Sequence, residues 1–377
     1  MIYLDNAATT LVKPKEVYAE SDRVFRHFSA NPGRSGHRIS LEALDIVTRA
    51  RSAAADFFEI EKSENAVFTF GCTDALNILL QGLFTKGDHV LATAYEHNSV
   101  LRPLEYMKTN KGVEYSIVFP DENESISIKN LKNHLKKNTK GFVANYVSNV
   151  TGFKQNIDLF ADFCKKHGLL FIVDCAQAAG TQEISMKKID YIACAGHKGL
   201  YGPQGIGILG AASNVPLPEP LRFGGTGSRS LELVQPAEMP EHLESGTLSV
   251  QNIAALKAGI DFVKENRPAI LRKETELITC LKEELKKTKN ITVYSKGEPE
   301  SGVIAFNIAD ADSAFIADIL DKQYGICCRG GFHCAPMVHR FLKTENQGAV
   351  RMSVSYFNTI DEIFYTAEKL REIAKRI

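Results

Sequence analysis

Short apolar runs of strand length recur through the first two thirds of the chain and alternate with segments of helical periodicity. The predicted strands are residues 66–70, 89–93, 115–119, 142–147, 169–173, 191–194 and 205–209. The helical segments, with apolar residues every three or four positions, include 41–58, 74–84, 131–137 and 159–167. Nearly continuous apolar strands that alternate with helices predict an α/β fold with a mostly parallel sheet covered on both faces. Ligands of such sheets bind beyond the carboxyl ends of the strands.

The pattern changes near residue 252, where a long, charge-rich helical stretch begins and continues to about residue 287. Short strands at 291–294, 302–308, 325–328 and 350–355 follow, with helices over 313–324 and from Thr359 to the end. This mixture predicts a smaller α+β domain. We expect a large domain of residues 14–252 and a small domain of residues 1–13 and 253–377.

Composition narrows the class of partner. The 377 residues include 45 basic and 45 acidic side chains, so a zero net charge favours a small ligand over a nucleic acid or a membrane surface. No apolar run approaches the roughly 20 residues of a membrane span, and the N-terminus lacks a signal-peptide pattern, so we expect a cytoplasmic protein. The eight irregularly spaced cysteines are typical of reduced thiols, and without a CxxC pair no metal site is expected.

One lysine stands out. The run at residues 193–207, ACAGHKGLYGPQGIG, places Lys198 between a short apolar strand and turn-forming residues. A partly desolvated lysine has a lowered pKa and can serve as an amine nucleophile, as a Schiff base requires. The alternative on these residues alone is a surface lysine in a Gly-Pro loop.

Two further strand ends complete a pattern around Lys198. Asp174 ends an apolar strand, where a carboxylate needs a cation or hydrogen-bond donors. Cys72 and Thr73 follow a Gly and open a helix, which is a site suited to phosphate or simply an ordinary helix cap. A phosphate loop, an acid and a lysine in this order predict pyridoxal phosphate, with Asp174 on the ring nitrogen and Lys198 on the aldehyde.

Other candidate residues follow strands of the same predicted sheet. His97 comes after the strand at 89–93 and is either a buried, hydrogen-bonded histidine or a ring stacked on the cofactor that moves protons. Asn149 follows the strand at 142–147 and has an amide suited to a cofactor or substrate oxygen. The Gly- and Pro-rich loop at residues 31–38 carries three cations, and we include its Asn31 and His37, together with Arg329, among the substrate-binding candidates.

A cysteine loop lies in the predicted small domain. Cys334 stands beside His333 and near Arg329 between Gly and Pro residues, surroundings that favour a nucleophilic thiolate. The alternative, a small buried hydrophobic residue, is our interpretation of the neighbouring cysteines 327 and 328. Arg351 follows at the start of a strand, and its guanidinium could bind a substrate carboxylate bidentately or form a surface ion pair.

These motifs resemble those of class V aminotransferase-type enzymes that use pyridoxal phosphate, and among them the cysteine desulfurase and selenocysteine lyase family. The matching motifs are YLDNAAT at 3–9, GHK at 196–198, GPQGIG at 202–207, ESGT at 244–247 and RGGFHCA at 329–335. The resemblance covers essentially the whole chain, and it implies pyridoxal phosphate fold type I. The short RxGxHCA-type loop is similar to that of the SUF-like group.

The resemblance also implies individual roles. Lys198 would form the Schiff base, His97 would stack on the ring, and Cys334 would accept sulfur. The remaining contacts implied are Asp174 with the ring nitrogen, Gln177 with the phenolic oxygen, Thr73 and His197 with the phosphate, Thr247 with the phosphate of the neighbouring subunit of a homodimer, and Asn149 and Arg351 with the substrate carboxylate. Cys72, Ala195 and Phe332 depart from residues that relatives often have, a Thr, a phosphate-binding Ser and a His, respectively.

The reaction expected is conversion of L-cysteine to L-alanine, with a persulfide on Cys334 that is passed to an acceptor protein. A selenocysteine lyase is the nearest alternative, because a weaker C–Se bond asks less of Cys334. A transaminase and a non-catalytic scaffold for a sulfur carrier are further alternatives. The physiological substrate, the acceptor and the pathway are left open.

Overall fold

The computed structural model describes residues 1–377. It contains ten α-helices, namely α1 Lys15–His27, α2 Arg38–Phe58, α3 Cys72–Leu83, α4 Asn98–Lys111, α5 Ile128–His134, α6 Ile157–His167, α7 Val250–Lys286, α8 Ser313–Tyr324, α9 Pro336–Leu342 and α10 Ile360–Ala374. Its strands are β1 Ile2–Tyr3, β2 Ala66–Thr69, β3 His89–Thr93, β4 Glu114–Val118, β5 Thr139–Asn145, β6 Leu170–Asp174, β7 Tyr191–Ala195, β8 Gly207–Ala211, β9 Ile291–Val293, β10 Val303–Ile308, β11 Ile326–Cys327 and β12 Val350–Ser353.

Seven strands form the central sheet in the order β2-β8-β7-β6-β5-β3-β4. Only β8 runs antiparallel to its two neighbours, and all other pairs are parallel. The expected α/β class and mostly parallel seven-stranded sheet are therefore confirmed. Apart from the edge strand β4, the strands are almost fully buried because helices cover both faces of the sheet.

Pattern analysis located the strands of this sheet to within three residues at each end, but it missed two helices. One is α4, which contains Pro103 and many polar residues, so that its helical periodicity is weak. Its first turn is capped by His97, whose Nδ1 accepts a hydrogen bond from the backbone N–H of Ser99 at 3.0 Å. The other is α9, a short helix that begins with Pro336 directly after the cysteine loop.

The C-terminal part forms a second layer around an antiparallel sheet, β12-β10-β9, while β1 pairs in parallel with β11. A separate apolar core of 19 residues packs here, and its members are Leu4 and residues between 277 and 374. Helix α7 packs at one end on α1 and α2 and at the other on α10 and the small sheet. The division at residue 252 falls just inside α7 and stays a prediction.

None of the ten helices is long and apolar enough to cross a membrane.

Candidate active site

A cleft of about 910 Å³ opens at the carboxyl ends of the parallel strands. Asp174 and Asn145 end the adjacent strands β6 and β5 and lie side by side in register. The loop after β7 brings in Lys198, and the first turn of α3 closes the opposite wall. Eight residues singled out in the sequence line this one cleft: Cys72, Thr73, His97, Asn149, Asp174, Gln177, His197 and Lys198.

Lys198 is held by close backbone packing. A Cβ atom on the next residue, Gly199, would lie 2.1 Å from the carbonyl oxygen of Ala179, so only glycine fits there. The hydroxyl of Thr10 donates to the carbonyl oxygen of Lys198 at 3.0 Å. Burial lowers the pKa of the Lys198 amine below its usual range, and nearby Asp174 partly opposes this shift. The fixed position and the lowered pKa of this amine are both suited to a nucleophile.

Asp174 is 5% exposed and faces Lys198 across the cleft. Its Oδ1 accepts hydrogen bonds from the backbone N–H of Ala176 at 2.8 Å and from Cys72 Sγ at 3.4 Å. Burial raises the pKa of this carboxyl, and the Ala176 N–H and the Lys198 charge act against the rise. A cation brought against Asp174 would therefore stabilise its ionised form.

The start of α3 forms an anion-binding corner. The N-cap residue is Gly71, which has no side chain to satisfy the first N–H groups of the helix. The Thr73 hydroxyl lies 2.8 Å from that of Ser99, which in turn lies 2.7 Å from Nδ1 of His97. Free N–H groups, a hydroxyl and the positive end of the helix dipole suit a phosphate.

His97 and His197 are both neutral at pH 7. Burial, reinforced by the charge of Lys198, lowers the pKa of each ring to about 4. His197 Nδ1 lies 3.0 Å from the hydroxyl of Thr9, which fixes its ring. With Nδ1 of His97 accepting from Ser99, its Nε2 carries the proton, so this ring can donate a hydrogen bond or stack but is not a cation.

The Cys334 loop has an unusual backbone. His333 and Cys334 both lie in the left-handed region, with φ of 49° and 56°, which costs about 1–3 kcal/mol for each non-glycine residue. Three contacts hold it in place. Asn98 N–H donates to the Cys334 carbonyl at 2.7 Å, the Asn149 amide to the His333 carbonyl at 2.7 Å, and His333 Nε2 lies 2.9 Å from the Ala349 carbonyl.

Cys334 opens onto a groove of about 450 Å³ that adjoins the main cleft. The two hollows share Thr73 and His97 in their walls. Arg329 Nη2 lies 4.0 Å from Cys334 Sγ, at the outer limit of a hydrogen bond to sulfur. The thiol is therefore next to the cleft and partly accessible, as a nucleophile requires.

Arg351 is almost fully buried behind Asn149. Its Nη1 donates to the Asn149 carbonyl at 3.0 Å and its Nη2 to Asp5 Oδ1 at 2.6 Å, whereas Nε has no partner. Burial lowers the pKa of this guanidinium, and the Asp5 carboxylate opposes the shift. The Asn149 side-chain oxygen is also buried without a donor. Both residues thus keep one buried polar atom without a hydrogen-bond partner.

Several predicted site residues do not line this cleft within one chain: Arg329 and Arg351 are absent from its walls, and three others lie away from it. Asn31 lines a separate hollow beside α2, and His37 caps α2 by accepting from the Ser40 N–H. Thr247 is also absent from the walls of the cleft. Glu244, three residues before it, forms a bidentate ion pair with Arg51 at 2.7 Å that fixes this segment on the outside of β2.

Sequence reasoning missed a buried acid directly beside His97. Glu96 is fully buried, and its Oε1 accepts from the Thr93 hydroxyl at 2.5 Å and from the Asn145 N–H at 2.8 Å. Its Oε2 has no partner, and burial raises its pKa to about 8. No pattern reveals this, because Glu96 meets Asn145 only through the pairing of β3 with β5.

The family described as Aminotransferase class-V matches residues 2–365. The chain belongs to the class-V aminotransferase family. This family assignment confirms the resemblance seen in the motifs. Members of the family use pyridoxal phosphate as their cofactor.

Relatives that match over nearly their full length indicate a group within this family. A probable cysteine desulfurase of Methanothermobacter thermautotrophicus is 33% identical, with 99% of this chain and 94% of the relative covered. A cysteine desulfurase of Yersinia pestis is 30% identical, and the match covers 100% of this chain and 94% of the relative. Within the class-V aminotransferases, the chain thus groups with proteins named cysteine desulfurases.

Similarity to a solved structure leads to the same grouping. The apo structure of a cysteine desulfurase from Thermococcus onnurineus superposes with a TM-score of 0.93 at 31% identity, over 100% of this chain and 95% of the other. Likeness over the full length of both chains means that the small-domain layer is shared as well as the central sheet.

Proposed function

We propose that this protein is a pyridoxal phosphate-dependent cysteine desulfurase, which converts L-cysteine to L-alanine and leaves the sulfur as a persulfide on Cys334. The single observation that carries the proposal is the arrangement of Lys198 and Asp174 in one cleft, with Cys334 on the groove that joins it. The names of the full-length relatives support the same reaction.

The residues of the cleft fit pyridoxal phosphate. Asp174, whose carboxyl is buried among few donors, would pair with the ring nitrogen, and Gln177 would face the phenolic oxygen. The uncapped first turn of α3 and the Thr73 hydroxyl would receive the phosphate. When bound, the cofactor would supply an aldehyde for Lys198 and an electron sink for the electrons released at the substrate Cα.

Lys198 would move the proton. Its lowered pKa leaves more of the amine neutral at pH 7, so Nζ can take the Cα proton of the substrate and later return one. Packing of Gly199 on Ala179 holds this amine in the cleft. His97, neutral and fixed by Ser99, would lie against the ring and orient it.

Cys334 would take the sulfur. Its thiolate attacks the sulfur of the substrate, so that a new S–S bond forms while the C–S bond breaks. The electron pair of the broken bond stays with the substrate carbon, which is protonated to give alanine. The persulfide then needs an acceptor thiol, and the groove at Cys334 is open to one.

Arg351 and Asn149 would bind the substrate carboxylate. The unpartnered Nε of Arg351 and its fixed guanidinium plane are suited to a carboxylate oxygen. The left-handed backbone of the cysteine loop, held on Asn149 and Asn98, would set the distance between this carboxylate and the thiol.

The active protein would be a homodimer. The segment after β8 exposes large apolar side chains, among them Phe223, Leu231 and Leu233, and Phe70 nearby is 68% exposed. Exposed apolar patches of this kind mark protein interfaces. Thr247, which lies outside the cleft of its own chain, would then reach the phosphate of the neighbouring subunit.

The test is an alanine assay with cysteine, selenocysteine and cysteine sulfinate in parallel. Cys334→Ser should lower alanine formation from cysteine at least 100-fold while the visible absorption of the bound cofactor is unchanged. Lys198→Ala should remove both the lysine-linked absorption and the activity. Full alanine formation by Cys334→Ser, or faster turnover of either other substrate by the unaltered protein, would overturn the assignment.

A further inference from the structure

One arginine in the wall of the cleft has no role so far. Arg222 lies between β8 and α7, and its carbonyl accepts a hydrogen bond from the Ser245 hydroxyl at 3.2 Å. Its Nη1 donates to Asp74 Oδ1 at 2.5 Å, and its guanidinium carbon lies 4.7 Å from the centroid of the Phe70 ring. These contacts fix the guanidinium beside the first turn of α3.

Two of the three nitrogen atoms of the Arg222 guanidinium, Nε and Nη2, have no hydrogen-bond partner. Nη1 makes its only hydrogen bond, and Nε is buried without any partner. The second oxygen of Asp74 is already used, because it accepts the backbone N–H of Phe70 at 3.0 Å. A buried donor without a partner is costly, so the edge formed by Nε and Nη2 is suited to a further acceptor. Two parallel donors on one edge match a phosphate or a carboxylate.

The charge balance of the corner favours phosphate. A phosphate monoester carries about −1.5 to −2 charges at pH 7, and a helix N-terminus offsets only about half a charge. His197 is neutral at that pH, and Lys198 is needed for the aldehyde. Ala195, at the end of β7, has no hydroxyl to donate. Arg222 is the one guanidinium that lines the cleft.

We propose that Arg222 binds the phosphate of the cofactor through its Nε and Nη2 edge, with Asp74 and Phe70 holding the guanidinium in place. This inference rests on the proposed function, since it assumes that pyridoxal phosphate binds in the cleft. It makes the segment after β8 part of the phosphate site. The first turn of α3 supplies N–H groups and Arg222 supplies the charge.

The test compares two ligands that differ only in the phosphate. Apoprotein is titrated with pyridoxal phosphate and with pyridoxal, and the dissociation constants are read from absorbance. Arg222→Gln should weaken pyridoxal phosphate about 10- to 100-fold, the loss expected for charge-assisted hydrogen bonds, and leave pyridoxal unchanged. Arg222→Lys, which keeps the charge without the fork, should lose less.

Asp74→Asn is the matched control, because it breaks the same ion pair but keeps Arg222. Its affinity for pyridoxal phosphate should fall less than that of Arg222→Gln, because Arg222 keeps its charge and loses only part of its anchor. The double variant Arg222→Gln with Asp74→Asn leaves no unpaired carboxylate and should show the same phosphate-specific loss even if Arg222→Gln alone folds poorly.

Three outcomes overturn the role of Arg222: no loss of pyridoxal phosphate affinity, an equal loss for pyridoxal, or an equal loss in Asp74→Asn. The last two would mean that the ion pair only supports the fold. Unaltered protein that binds neither ligand would instead contradict the proposed function itself.

Discussion

Asp5 Oδ1 lies 2.6 Å from Nη2 of Arg351, although 346 residues separate the two in sequence. The pair joins the N-terminal segment to β12 and holds the guanidinium that we assign to the substrate carboxylate. Arg351 is 2% exposed and Asp5 22% exposed, so the ion pair is only partly screened by solvent. The N-terminal segment therefore orients Arg351, the residue near the other end of the chain that we propose binds the substrate.

Asp5→Asn should raise KM for cysteine about tenfold and change kcat little, because a buried arginine without its anchor binds the carboxylate less well. It should also lower the free energy of unfolding by about 2 kcal/mol. Steady-state kinetics and urea unfolding measure the two effects. Asp22→Asn, which removes an exposed ion pair with Arg26, should change stability by less than about 0.5 kcal/mol. Unchanged KM in Asp5→Asn would contradict the anchoring role.

Gly199→Ala should displace Lys198. The new methyl group would meet the Ala179 carbonyl oxygen at 2.1 Å, so the backbone must shift, at a cost of about 1–3 kcal/mol. We expect a lower Tm and a loss of lysine-linked cofactor absorption. Gly297→Ala is the control, because a Cβ there meets no atom within 4 Å. Equal cofactor loading in the two variants would show that the close packing does not position the amine.

Arg329→Gln should slow alkylation of Cys334 by iodoacetamide at pH 7, since the variant removes the positively charged hydrogen-bond donor 4.0 Å from Sγ. We expect a several-fold lower rate of alkylation. Peptide mapping measures the rate at Cys334 alone, because seven other cysteines are present. Arg340→Gln serves as the control for loss of a positive charge, because Arg340 lies on α9 and lines neither the cleft nor the groove. A rate unchanged by Arg329→Gln would exclude activation by this guanidinium.

Glu274, within α7, should make the free energy of unfolding depend on pH. Burial raises its pKa from 4.5 to about 8, so the folded protein holds a proton that the unfolded chain releases between these values. The contribution of this group to the free energy of unfolding is complete below pH 4.5 and is lost as the pH rises through 8.

The stability of Glu274→Gln should accordingly fall less between pH 6 and 8 than that of the unaltered protein, by about 1 kcal/mol per pH unit. Urea unfolding at several pH values measures the difference. Glu276→Gln, altered at an exposed position on the same helix, should follow the unaltered protein. Parallel curves for Glu274→Gln and the unaltered protein would contradict the raised pKa.

The sequence alone determined much of the fold and part of the site. The strands of the central sheet are short, apolar and bounded by turn residues, so their positions could be read locally. Lys198, Asp174 and Cys334 stand in local motifs whose residue types are the basis of the roles that we propose for them. Helix α4 was missed because its cap, His97, and its internal Pro103 do not follow an amphipathic pattern.

Only the tertiary structure decided which partner each of several charged or acidic side chains has. Asp5 with Arg351, Glu96 with Asn145 and Arg222 with Asp74 are contacts between segments that are distant in sequence. The structure also separated Asn31 and His37 from the cleft, although both were predicted to bind the substrate. Burial and charge pairing depend on which surfaces the folded chain brings together, and residue spacing does not encode that. The sequence thus determined the kind of chemistry, and the tertiary structure determined which residues are placed to serve it.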